Sequence, residues 1–291
     1  MKQTDRTDGR ENASWESGVR RVVPYTPGEQ PKRPGIIKLN TNECPYPPSP
    51  RVKRLAAEFE TDVLRLYPDP EASLLVKSIA ERFHVGEDQV FVGVGSDDVL
   101  AMAFLTFFNT GRPILFPDIT YSFYDVWANL FGIPFSRPAL DENFRLVKED
   151  YLTENGGIVI ANPNAPTGIS EPLSVIEEIA AGNPGSLVII DEAYVDFGGT
   201  SALPLVEKYE NLLVVQTFSK SRAMAGMRIG FAIGSPKAIG YLRDVKFSFN
   251  SYTMDAPTIA WGAASMADEA YFQETVGKVA DTREYLKREL S

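Results

Sequence analysis

The sequence predicts an α/β fold, a mostly parallel sheet flanked by helices, and three observations carry that prediction. Short apolar runs at 158–161, 187–190 and 212–217 have the length and β-branched content of strands buried on both faces. Segments of helical spacing separate several of these runs, as parallel pairing through crossovers requires. Clusters of Gly, Pro, Asn and Asp close them, and in such folds ligands bind at the carboxyl ends of strands.

The elements follow in order. Residues 1–35 are rich in charge, Pro and Gly and predict an arm. Ile36-Ile37-Lys38-Leu39-Asn40 reads as a short strand, and the proline-rich turn 44–50 leads to a helix from about Arg51. A second helix, 72–83, carries Leu74, Leu75, Ile79 and Phe83 on one face and ends near His84. Strand 89–92, helix 97–108, strand 113–116 and helix 121–130 come next. Strand 158–161, helix 173–180, and strands 187–190, 212–217 and 229–233 complete the series. Residues 236–247 read as a helix and 257–290 as two more, with Ser291 falling inside an amphipathic pattern.

Composition narrows the function. Hydrophobic residues make up 44% of 291 and charged residues 23%, enough for a large core. A formal charge of −10 repels nucleic acid and anionic lipid, so neither is an expected partner. The single histidine, His84, excludes a multi-histidine metal site, and no metal is expected. One cysteine, Cys44, excludes an internal disulfide and suggests a reducing compartment. The first twenty residues lack an apolar signal region, and no run approaches the ~20 residues that span a bilayer. The expectation is a soluble, cytoplasmic protein.

Five strand ends carry candidate chemistry. Gly93-Val94-Gly95-Ser96-Asp97-Asp98 follows a strand and opens a helix, where backbone amides can cradle a phosphate; a plain helix cap is the alternative. Asp118-Ile119-Thr120-Tyr121-Ser122-Phe123-Tyr124 follows the next strand, and an aromatic there, such as Tyr121, can stack on a planar ring or simply fill the core. Asn162-Pro163-Asn164-Ala165-Pro166-Thr167-Gly168 is a rigid loop offering amide donors, or only a turn. Asp191-Glu192-Ala193-Tyr194 ends a very apolar strand, so its acid needs a cationic partner, either a protonated ring nitrogen or an arginine. Finally, Thr217-Phe218-Ser219-Lys220-Ser221-Arg222 holds one lysine in a small-residue turn, with Arg228 close behind. An amine and an acid at neighbouring strand ends suit pyridoxal phosphate, whose aldehyde needs the first and whose ring nitrogen needs the second.

Together these segments resemble the fold-type I aminotransferases that use pyridoxal phosphate, and within them the histidinol-phosphate aminotransferases. The likeness is carried by Leu39-Asn40-Thr41-Asn42-Glu43-Cys44-Pro45-Tyr46, Leu66-Tyr67-Pro68-Asp69, Gly95-Ser96-Asp97 and the segments 162–168, 191–197 and 217–230. It implies that Lys220 forms an imine with the cofactor and shuttles a proton. It also implies that Asp191 holds the ring nitrogen, Tyr194 bonds the phenolic oxygen and Tyr121 stacks on the ring. Gly95, Ser96, Asp97, Thr217, Ser219 and Arg228 would surround the phosphate, and Tyr67 would reach the phosphate of a neighbouring subunit in a homodimer. Asn42 and Tyr46 would lie near substrate. Where the family places asparagine before Pro-Thr-Gly this chain has Ala165, so Asn164 is the candidate to replace it.

The resemblance divides the chain into an arm (1–35), a segment contributing to a small domain (36–65), a large cofactor-binding domain (66–247) and the start of an incomplete small α/β domain (248–291). Relatives continue into further strands carrying an arginine for the substrate's anionic group. The implied reaction is amino transfer between L-histidinol phosphate and 2-oxoglutarate, with glutamate as the other small-molecule partner. The alternatives are a threonine-phosphate decarboxylase or aromatic aminotransferase of the same fold, and a catalytically silent ligand-binding module. A nicotinamide-dependent dehydrogenase would rest on Gly93 and Gly95 alone.

Overall fold

The computed structural model describes residues 15–31 and 33–291; the rest of the predicted arm lies outside the described residues. The elements in chain order are α1 (Pro50–Ala57), α2 (Ser73–Phe83), β1 (Val90–Val94), α3 (Ser96–Phe107), β2 (Ile114–Leu115), α4 (Phe123–Phe131) and β3 (Phe135–Ser136). They continue with β4 (Ile158–Ala161), α5 (Leu173–Gly182), β5 (Val188–Asp191), β6 (Leu212–Thr217), β7 (Ile229–Gly234), α6 (Pro236–Phe249), α7 (Ala256–Met266) and α8 (Glu269–Leu290).

The seven strands form one sheet in the order β1-β7-β6-β5-β4-β2-β3. All run parallel except β7, which is antiparallel to both β1 and β6, with Thr217 opposite Gly230. The mostly parallel sheet of the sequence prediction is therefore mixed at one strand. Alternation along each strand feeds two cores. Ile158, Ile160, Val188 and Ile190 pack with Leu75 and Ile79 on one face. Val159, Ile189, Leu213 and Val215 pack with Leu100, Phe104, Tyr124 and Trp127 on the other. Both faces are covered, which is why these strands read as unbroken apolar runs.

Helix starts follow their local chemistry. Ser49 caps α1 by accepting from Val52 N–H, and Pro50 opens the first turn, where a missing N–H costs nothing. Ser235 with Pro236 and Asp255 with Pro257 repeat the device at α6 and α7. The first residue before α2, Ala72, has no capping side chain, so Asp69 reaches across instead and accepts from Ser73 N–H at 2.8 Å. His84 ends α2 in the left-handed region, φ 57°, as a helix-end residue.

Three expectations change. Residues 36–40 form no strand: the stretch has no regular secondary structure, and Ile37 and Leu39 are 83% and 84% exposed. Apolar content signals a strand only where a sheet edge accepts it, and the described residues give this segment none. On α2 the buried residues are Leu75, Val76, Ile79 and Ala80, while Leu74 faces solvent. The two-residue strand β3, pairing with β2, was not expected at all. Among the described residues, no helix is long and apolar enough to cross a membrane.

Candidate active site

The carboxyl ends of β4, β5 and β6 and the start of α3 converge on a cavity of about 380 Å³. Ser96, Asp97, Tyr121, Asp191, Tyr194, Thr217, Ser219, Lys220 and Arg228 all line it. Nine of the expected site residues thus meet at one place, from segments far apart in the chain.

Lys220 rises from the loop between β6 and β7. Its Nζ donates to the Thr41 carbonyl at 2.7 Å and sits 5.6 Å from the centre of the Tyr194 ring. Thr41 and Asn42 both have positive φ, 63° and 52°, so the chain turns where it meets the lysine. Asn42 donates from Nδ2 to the Tyr194 hydroxyl at 3.0 Å. A β-branched residue such as Thr41 rarely adopts that backbone, and such strain concentrates at functional sites.

Asp191, at the last position of β5, is 5% exposed. Its Oδ2 accepts from the Tyr124 hydroxyl at 2.8 Å and its Oδ1 from Ala193 N–H at 3.2 Å. Burial pushes the carboxyl up to about 6, against the pull of these two donors and with a further push from Asp97. Among the described residues no ion pair involves Asp191, so the acid lines the cavity with hydrogen bonds but no cation.

The opposite end is built for an anion. Ser96 is the first residue of α3, whose free N–H groups carry partial positive charge. Arg228 donates from Nη2 to Asp97 at 3.3 Å and from Nη1 to the Ser219 hydroxyl at 3.5 Å. Tyr121 donates to the other Asp97 oxygen at 3.0 Å, and burial with the Asp97 charge keeps its phenol protonated. Glycine is required here: a Cβ on Gly230 would lie 2.2 Å from Ser96 N, and one on Gly95 would lie 2.3 Å from Arg228 Nη2. An amine, a buried anion, an aromatic wall and an anion-binding helix start thus surround one cavity, a donor set that fits a planar, phosphate-bearing aldehyde.

A second chamber of about 510 Å³ adjoins the first and shares Lys220, Tyr194, Glu43, Pro163 and Ala165 with it. Asn42 and Asn164 line this outer chamber. Asn164 is already engaged, its Nδ2 donating to Ile119 O and Thr167 Oγ1 and its Oδ1 accepting from Thr120. The structure thus spends the Asn164 amide on pinning two loops together, while Ala165 lines both chambers. Two further candidates stand apart. Tyr46 lines an outer groove beside Lys278. Tyr67 is 83% exposed, its ring tilted 34° to that of Tyr252 with centroids 4.7 Å apart. Sequence reasoning missed Tyr124 and Thr41: the first is one aromatic among many, and the second acts through its carbonyl, which no side-chain pattern signals. No group of metal-ligating side chains occurs among the described residues.

Comparison with known proteins places the chain in a family. Residues 34–291 match the model of the family described as aminotransferase class I and II. A histidinol-phosphate aminotransferase of Lactococcus lactis subsp. cremoris (strain MG1363) is 53% identical over 277 residues, 95% of this chain and 78% of the relative. That of Pseudomonas putida (strain W619) is 51% identical, covering 95% of this chain and 80% of its own. Among solved structures, the histidinol-phosphate aminotransferase from Sinorhizobium meliloti in complex with pyridoxal-5'-phosphate is similar in fold. It has a TM-score of 0.77 at 24% identity over 85% of this chain and 69% of that one.

Proposed function

Because the chain belongs to the aminotransferase class I and II family, among the histidinol-phosphate aminotransferases, we propose that it moves an amino group between L-histidinol phosphate and 2-oxoglutarate with pyridoxal phosphate held in the inner cavity. The observation that carries this reading is the buried Asp191, hydrogen-bonded but with no ion-pair partner among the described residues, sharing one cavity with Lys220 and the start of α3.

When bound, pyridoxal phosphate supplies an electron sink for the bond broken at the substrate's amino-bearing carbon. Lys220 would provide the amine that holds the aldehyde and the base that moves a proton. Asp191 meets the protonated ring nitrogen. Tyr194, aligned by Asn42, donates to the ring's phenolic oxygen, and Tyr121 forms the stacking wall. Ser96 and Gly95 backbone groups, with Thr217, Ser219 and Arg228, receive the phosphate. Arg228, which donates to Asp97 and Ser219, would offer its guanidinium to that phosphate. Amino donors enter through the outer chamber past Asn42, with Tyr46 at its approach. Tyr67, exposed in the single chain, serves the phosphate of a second subunit in a homodimer, and the cytoplasm supplies both substrates. Residues 66–247 form the cofactor domain in this reading, with 36–65 and 248–291 as parts of a smaller one.

The test is spectroscopic. Purified chain mixed with pyridoxal phosphate should acquire a visible absorption band that bleaches with L-histidinol phosphate and returns with 2-oxoglutarate as glutamate forms. Lys220→Ala should lack the band. Carbon dioxide release in place of glutamate formation would replace this reading with a decarboxylase.

A further inference from the structure

Asp191 takes its hydrogen bonds from one backbone N–H and one phenol, and the phenol is the only side chain that donates to it among the described residues. Tyr124 itself is fully buried. Its ring is wedged against Phe116 at 5.8 Å and Tyr121 at 5.7 Å, so the hydroxyl has little freedom to point elsewhere. The same tyrosine therefore touches the ring that walls the cavity and the carboxylate that lines it. Burial also holds the Tyr124 phenol well above its ordinary range, so it remains a donor and never competes with Asp191 for charge.

We propose that Tyr124 is a positioning residue acting through Asp191: its phenol fixes the carboxylate so that the Tyr124–Asp191 pair, not the acid alone, recognises a protonated ring nitrogen. This rests on the reading of the cavity as a pyridoxal phosphate site. A donor on Oδ2 locks the carboxylate's rotation and leaves Oδ1, bonded by Ala193 N–H, with a free lone pair for a ring N–H. Loss of the phenol would free the carboxylate to turn and would remove a hydrogen bond to a charged group.

The experiment measures equilibrium binding of two ligands to the full chain: pyridoxal phosphate, and its analogue with C–H in place of the ring nitrogen. Tyr124→Phe keeps the ring and removes only the oxygen; circular dichroism verifies its folding. It should weaken pyridoxal phosphate about tenfold, the scale of one charge-assisted hydrogen bond, and leave the analogue's affinity unchanged. In an Asp191→Asn background the same substitution should have no further effect. Equal losses for both ligands would make Tyr124 a packing residue and overturn the proposal, as would no loss for either. If the unaltered chain binds neither ligand, the cofactor reading falls and the proposal with it. If it binds both and only the variant behaves otherwise than expected, the proposal alone falls.

Discussion

Replacing Glu192 by Gln should stabilise the cofactor-free protein at alkaline pH and do nothing for it at acidic pH. Glu192 is 1% exposed and accepts from Ala202 N–H, the Ser201 hydroxyl and Gln216 Nε2. Burial dominates these donors and pushes its carboxyl from the ordinary 4.5 up to about 7. The folded chain therefore holds this proton through a range in which the unfolded chain has released it. Between roughly pH 4.5 and 7 the folded state binds more protons, so stability falls as pH rises. At about 1.4 kcal/mol per pH unit the loss is on the order of 3 kcal/mol. Glutamine keeps the shape without the charge, and its amide can face Ser201 and Gln216 once their donors reorient. At a rough 2 °C per kcal/mol for a chain of this size, the melting temperature of Glu192→Gln relative to the parent should climb by about 6 °C from pH 4.5 to 8. Differential scanning at fixed scan rate measures it. A difference that stays constant across that range would show Glu192 charged throughout and refute the reasoning.

Two other substitutions test the site's supports. Gly230→Ala places a methyl group 2.2 Å from Ser96 N and 2.3 Å from the Gly95 carbonyl carbon, backbone that cannot give way cheaply. It should cost about 1–3 kcal/mol in a melt and weaken pyridoxal phosphate binding in a titration; unchanged values in both would contradict the close packing described. Asp69→Ala removes the acceptor for Ser73 and Glu71 N–H groups at the start of α2 and should cost about 1 kcal/mol at pH 7. The Ser73 hydrogen bond lowers the Asp69 carboxyl's pKa, so the benefit is present near neutrality and disappears on acidification below about pH 4. Urea melts at pH 7 and pH 3 separate the two regimes.

Much of this was legible in the chain because two-sided burial writes itself plainly: Ile158, Val159 and Ile160 can only be a central strand or a buried helix, and their shortness decides it. The direction of β7 was not legible, since apolar content is the same whichever way a strand runs. Phe135 and Ser136 pair for only two residues, too few to leave a pattern. Leu74 misled because one helix position of error swaps solvent for core. At the site, Lys220, Asp191 and Tyr194 stood out because a lysine and an acid at strand ends demand a reason. Asn164 looked equally chemical, yet its amide holds neighbouring loops, a use that depends on which way the side chain turns. Tyr124 could be found only by seeing what its hydroxyl meets.

The single reversed strand has a mechanical consequence. β6 arrives at the cavity with Thr217, and β7 departs from the same edge with Ile229 and Gly230, so the intervening stretch leaves and re-enters the sheet side by side. Lys220 and Arg228 are thus carried on a bracket bolted at both feet to paired neighbouring strands of the sheet, not on a span ending in a helix. The distance between the amine and the guanidinium is set by the sheet itself. Lengthening that bracket by even a residue or two should loosen the spacing more than a much larger insertion into any of the outer crossovers.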